Sequence, residues 1–180
     1  VTLNHPHGQI YAYSYLPPKT QRMLEVATAH KKKSGNILLE DILARELSDK
    51  VRIVAENEHW VAYVPYASRY PFEIHLAPRR RVPDFLALDE AASDAFAPIA
   101  KEVLIRLDGV FGVKMPYIAS WHQAPVRTGR DLLSLHWQIA SVRRAPGKLK
   151  YLAGSESAFG AFMMDLKPEQ SAAQLRDVAL

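Results

Sequence analysis

His5-Pro6-His7-Gly8-Gln9 places two imidazoles and an amide at positions i, i+2 and i+4. On an extended strand successive side chains alternate, so the three share one face, about 6–7 Å apart from one Cα to the next. Pro6 favours that geometry, because the residue before a proline is pushed out of the helical region. Such a row can hold a metal, attack a phosphoryl group or steady a phosphate oxygen. Neutral imidazole is both a good ligand and, near pH 7, a competent nucleophile. A glutamine amide donates to a phosphoryl oxygen without adding charge.

Other polar groups recur further on. His122 lies in Ser-Trp-His-Gln-Ala-Pro and is read either as a ligand or as a buried, hydrogen-bonded residue. His136, in Leu-His-Trp-Gln, reads as structural, as do His59 at a turn and His75 on a strand, while His30 reads as surface. Lys148, Lys150, Gly154 and Glu156 punctuate a polar stretch without helical periodicity. A lysine and a glutamate there suit a sugar or a phosphate, or simply a surface loop. No phosphate-binding P-loop, dinucleotide fingerprint or catalytic serine motif occurs.

The elements that must position these groups follow from periodicity. Residues 1–16 read as one strand with His5, His7, Gln9, Tyr11, Tyr13 and Tyr15 on one face, ended by Pro17-Pro18. Residues 20–33 look helical and polar, and Ser34-Gly35-Asn36 breaks them. A second helix is predicted over 37–47 from the stripe Ile37, Leu38, Ile42, Leu43, Leu47. Strands are expected at 52–55, 60–64, 72–77, 117–122 and 132–143. A long helix is expected over 89–107, capped by Asp89 and kinked or split at Pro98, and a last helix from Pro168. This order is α+β, with helices packed on an antiparallel sheet. The break near Gly35 divides the chain into an N-terminal strand-and-helix arm, 1–35, and a compact domain, 36–180.

The chain has 180 residues, enough for one domain with a substantial core. Its 48% hydrophobic and 23% charged content is that of a globular protein. The net charge of +4 comes from scattered residues and two short runs, Lys31–Lys33 and Arg79–Arg81. That favours a phosphate-bearing small substrate over nucleic acid. With no cysteine, disulfides and thiol catalysis are excluded. Any zinc would need histidine and carboxylate ligands, or cysteines from another chain. No run is long and apolar enough for a membrane span, and no signal-peptide pattern is present, so a cytoplasmic location is expected.

Asn-His-Pro-His-Gly-Gln-Ile resembles the active-site strand of galactose-1-phosphate uridylyltransferases, in the histidine-triad superfamily. Further blocks agree in the family's order: Glu-Asn-Glu-His-Trp at 56–60, Trp-His-Gln-Ala-Pro at 121–125, Leu-His-Trp-Gln at 135–138, and Lys-Tyr-Leu-Ala-Gly-Ser-Glu at 150–156. The stretch 143–150 is similar to the actinobacterial branch. The resemblance implies a histidine-triad-like domain and a ping-pong exchange of UMP between a UDP-hexose and a hexose 1-phosphate. By motif, His7 would be the nucleophile that forms a uridylyl-histidine, and Gln9 would bind the phosphoryl group. His5 would be one ligand of a structural zinc. Lys150, Tyr151 and Glu156 would contact the hexose, in this family often across a dimer.

The resemblance covers only the family's second half. The remaining zinc ligands, which normally include a cysteine pair, would lie in the first half. A second metal site of some members uses a glutamate and three histidines; here Met23 stands at the glutamate position, and Ala140 and Val142 at two of the histidines, leaving His122. No second metal is therefore expected. Together these features imply the C-terminal half of a uridylyltransferase, active with a separately encoded N-terminal half in a dimeric assembly. The alternative is an inactive remnant, or a nucleotide- or partner-binding module of the same fold.

Overall fold

The structure, a computed structural model, describes residues 8–180. His5 and His7 lie outside the described residues. Five strands form one antiparallel sheet: β1 (Ile53–Glu56), β2 (Trp60–Tyr63), β3 (Phe72–Pro78), β4 (Tyr117–His122) and β5 (His136–Ser141). Their order is β1-β2-β3-β5-β4, so β5 sits between β3 and the edge strand β4. A small ribbon, β6 (Arg143–Ala145) and β7 (Lys148–Leu149), follows. The helices are α1 (Pro18–Ser34), α2 (Leu38–Asp49), α3 (Glu90–Gly109), α4 (Gly154–Phe159) and α5 (Pro168–Arg176). The α+β architecture expected from the sequence is thus observed.

Alternation along the strands gives the sheet two unlike faces. On the first face Trp60, Phe72, Ile74, Leu76 and Ile139 are sealed from water against Val103 and Leu107 of α3 and Leu175 of α5. Trp121 and Trp137, paired across β4 and β5, stack at 5.9 Å and extend this core. The second face carries a smaller apolar patch, Val61 and Tyr63 with Leu43 of α2. Beside that patch its residues turn polar: Glu73 and His75 on β3, Ser120 and His122 on β4, His136 and Gln138 on β5.

The Asp89 carboxylate accepts from the Ala92 N–H at 2.8 Å and starts α3. Pro98 does not split that helix. The Trp60 indole and the Asn57 amide donate to the carbonyls of Ala92 and Ala95, at 2.6 and 2.9 Å, and hold the turns that precede the proline. α1 docks through Ala27 on Ala124, Leu132 and Leu133.

Three expectations are corrected. Among the described residues, 8–16 form no strand, since a strand exists only by pairing and no ladder partner meets this segment. Tyr11, Tyr13 and Tyr15 still project to one side, their rings in sequence at 6.3 and 5.5 Å. The strand expected over 132–143 begins only at His136, because the amides of Leu132 and Leu133 turn back to the Gly129 carbonyl. It then breaks at Val142, after the buried Ser141 hydroxyl accepts from the Arg143 N–H. The stretch read as lacking helical periodicity contains α4. Its start is fixed by the Glu156 carboxylate accepting from the Ala153 N–H at 2.8 Å, and its end by left-handed Gly160.

Candidate functional site

Three histidines that lie 14 to 61 positions apart in the chain meet on the polar face of the sheet. Register sets them there: His122 is opposite His136, and His75 is opposite Gln138. The His122 and His136 rings stack at 5.0 Å with 8° between their planes, and His75 lies 5.9 Å from His136. A hydrogen-bond chain runs through the group. The Lys19 ammonium, at the start of α1, donates to Gln138 Oε1 at 2.7 Å. Gln138 Nε2 donates to His136 Nε2 at 3.0 Å, and His136 Nδ1 donates to the Ser134 carbonyl at 2.9 Å. These partners give His136 the neutral tautomer with its proton on Nδ1. His122 Nε2 is 3.1 Å from the Ser120 hydroxyl.

Burial lowers the His136 pKa to about 3, helped by the neighbouring His75 and His122. Burial, then the positive field of Lys19, brings His122 down to about 4. Burial opposes the charge on Glu73, but the His75 hydrogen bond at 3.0 Å and the Arg69 N–H at 2.7 Å outweigh it and hold the carboxyl below its usual range.

The Lys150–Glu156 pair is a separate feature. Lys150 Nζ is 2.7 Å from Glu156 Oε1 and also donates to the carbonyls of Arg69 and Met163, at 2.8 and 2.7 Å. Its side chain is only 8% exposed and that of Glu156 2%. The Lys150 hydrogen bond, with the Ala153 and Met163 N–H groups, holds the Glu156 carboxyl down to about 2. The pair pins the loop around α4 to the Arg69 turn, while Tyr151 between them is 84% exposed. Gln9 is exposed and accepts from the Tyr11 hydroxyl.

The zinc expected at His5 concerns a residue outside the described ones. Among the described residues no three His, Asp or Glu side chains are arranged to hold a metal ion. His136 spends both ring nitrogens on protein partners, and His122 Nε2 meets the Ser120 hydroxyl. With no cysteine in the chain, a zinc held by His5 needs histidine or carboxylate partners, or ligands from another chain.

Sequence reasoning missed Lys19 and Gln138 and read His75 as isolated. The alternation Glu73/His75 and His136/Gln138 was visible, whereas the pairing of β3, β4 and β5 was not. His30, read as surface, is half-buried, with Nε2 2.7 Å from Asp41 Oδ2, and joins α1 to α2.

The low histidine pKa values predict an acid response. An imidazole kept neutral in the fold but titrating near 6.5 when unfolded contributes its full stabilisation above pH 6.5. As pH falls below 6.5 the unfolded chain takes up the proton first, and stability drops by up to about 1.4 kcal/mol per pH unit for each imidazole. The loss ends near pH 4 for His122 and pH 3 for His136. The lowered Glu156 adds stability that is complete above its ordinary range near 4.5 and disappears as pH falls towards 2. Urea midpoints between pH 7 and 4.5 should fall steeply for the parent chain and less steeply for His136→Gln. Equal slopes would contradict the assignment.

Comparison with known proteins places this geometry in a family context. Residues 23–180 match the family model for galactose-1-phosphate uridyl transferase, C-terminal domain. The galactose-1-phosphate uridylyltransferase of Streptomyces lividans is 42% identical over 99% of this chain and 53% of its own length. That of Haemophilus influenzae is 37% identical over 96% and 50%. A solved uridylyltransferase structure superposes with a TM-score of 0.91 at 34% identity, covering 98% of this chain and 55% of the other. A histidine triad family protein from Mycobacterium smegmatis, at 14% identity and a TM-score of 0.52 over 79% of this chain, shares the fold. The chain spans about half the length of the curated relatives it matches.

Proposed function

Since this chain belongs to the galactose-1-phosphate uridylyltransferase family, as its C-terminal domain, we propose that it acts with a separately supplied N-terminal half to move UMP from a UDP-hexose to a hexose 1-phosphate. The observation that carries this reading is the 42% identity across 99% of the chain to a uridylyltransferase. It is joined by an His-Pro-His-Gly-Gln segment able to attack and hold a phosphoryl group.

His7 attacks the α-phosphorus of the UDP-hexose. A P–N bond forms as the P–O bond to the β-phosphate breaks, and hexose 1-phosphate leaves. A second hexose 1-phosphate then takes the uridylyl group from His7. Gln9 donates to a phosphoryl oxygen in both half-reactions. Lys150 and Glu156 set the loop that presents Tyr151 to the hexose. His5 would contribute one ligand to a structural zinc whose other ligands the N-terminal half would bring, and the assembly is dimeric.

The test is reconstitution. The chain is purified alone and also co-expressed with the N-terminal half of a family member. Exchange between UDP-glucose and galactose 1-phosphate, and bound zinc, are measured for both. Transfer and zinc should appear only in the complex. Turnover by the chain alone would defeat the two-half reading. A stable complex that binds UMP without transferring it would favour the binding-module alternative.

A further inference from the structure

A cavity of about 390 Å³ lies beneath the start of α1, between α2, the turn before β3 and the loop after α4. Among the described residues its wall carries three cations, Lys19, Arg22 and Arg69, and no carboxylate. Its floor is apolar, with Met23, Val26, Leu39, Leu133 and Phe162 among its residues. Arg22 shares its charge with Glu25 at 3.2 Å in an exposed pair. Among the described residues the other two cations form no ion pair with a carboxylate. The Arg69 guanidinium lies over the Phe162 ring at 5.4 Å and meets no carboxylate among the described residues. Lys19 gives one proton to the neutral Gln138 amide and keeps two.

The neighbouring charges leave this excess in place. Glu73 is the carboxylate near Arg69, and its two oxygens are taken by the Arg69 backbone N–H and by His75. Burial, and after it the field of Arg69, pull the Lys19 pKa down, and Glu73 only partly offsets them. Two like charges held together at a cavity wall are costly unless an anion joins them. The first turn of α1 borders the same space through Lys19 and Arg22. It has neither a side-chain cap nor an acidic residue, so the positive end of this 17-residue helix adds to the field.

We infer that this cavity is an anion-binding site that takes the phosphate group of a small molecule between Lys19 and Arg69. The planar guanidinium beside Phe162 offers a fork to two phosphate oxygens. The ammonium meets a third. The apolar floor receives the uncharged part of the ligand, and the volume is that of a small-metabolite pocket. Occupancy ties the start of α1 to the Arg69 turn and stabilises the fold by mass action.

The probe is inorganic phosphate added to the chain itself, with sodium chloride at matched ionic strength as reference. Saturable binding by calorimetry at about 1 mM or tighter is expected, with a shift of the Arg69 Nε–H resonance that chloride does not reproduce. Lys19→Met with Arg69→Gln should weaken binding at least tenfold, and Arg69→Lys should weaken it less. His7→Asn should leave it unchanged, which separates this site from the proposed transfer chemistry. Absence of saturation, equal binding by the double variant, or loss of binding in His7→Asn would overturn the inference. Should the double variant fail to fold, the Arg69 resonance in the parent chain decides alone: no phosphate-specific shift means no site.

Discussion

Replacing His7 by asparagine is expected to lower UMP transfer by the reconstituted assembly by about 10⁴-fold or more, the scale seen when a covalent nucleophile is removed. The expectation rests on the proposed role of His7. Asparagine keeps a polar side chain of similar reach but has no lone pair able to form a P–N bond near neutral pH. Imidazole supplies one, because it is substantially unprotonated at pH 7. The loss should fall on the chemical step, so kcat drops while binding of UDP-glucose persists. The decisive readout is covalent. UDP-glucose labelled at the α-phosphorus should leave label on the denatured parent protein and none on His7→Asn. Label on the variant at the parent's level would remove His7 from the mechanism. His5→Asn should behave differently, losing bound zinc first and transfer in consequence.

The i, i+2, i+4 spacing of His5, His7 and Gln9 was legible because spacing along the chain is local information. So were α2, α3 and α5 and the three strands from Ile53 to Pro78, where period and caps coincide. The meeting of His75, His122 and His136 was not legible. It depends on β5 inserting between β3 and β4, and the β3–β5 pairing joins residues more than sixty positions apart, such as His75 and Gln138. Lys150 shows the same limit from the other side. Its neighbours in sequence read as a polar surface loop or a sugar contact, yet its ammonium is buried against carbonyls 81 and 13 positions away. The segment 8–16 alternates as a strand does. Alternation states which side chains share a face, whereas a strand also needs a partner for its backbone.

The aromatic layer under the histidine face carries the largest stability prediction. Trp60 is fully buried, and its indole N–H donates to the Ala92 carbonyl at 2.6 Å. Its ring lies edge-on to Phe96 at 5.2 Å and to Trp121 at 6.1 Å. Phe96 and Trp121 in turn contact Trp137, the neighbour in sequence of His136. Trp60→Ala removes the centre of this layer and leaves a cavity that the stiff sheet closes only partly, so it should cost about 3–5 kcal/mol. That is a large share of the roughly 5–15 kcal/mol that holds a domain of this size together. For a chain of about this length it amounts to a fall in Tm of roughly 6–20 °C. Trp60→Phe keeps most of the apolar contact and should lose less than half as much. The histidine face should respond too, because Trp121 and Trp137 alternate with His122 and His136 along β4 and β5. Once the layer beneath them loosens, water reaches the imidazoles and their pKa values rise from about 4 and about 3 towards 6.5. Acid destabilisation of Trp60→Ala between pH 6.5 and 4 should then be shallower than in the parent chain, although its midpoint at pH 7 is lower. A variant with parent-like Tm would mean that Trp60 does not anchor the core. A lowered Tm with an unchanged acid slope would mean that the aromatic layer does not keep the histidine face dry.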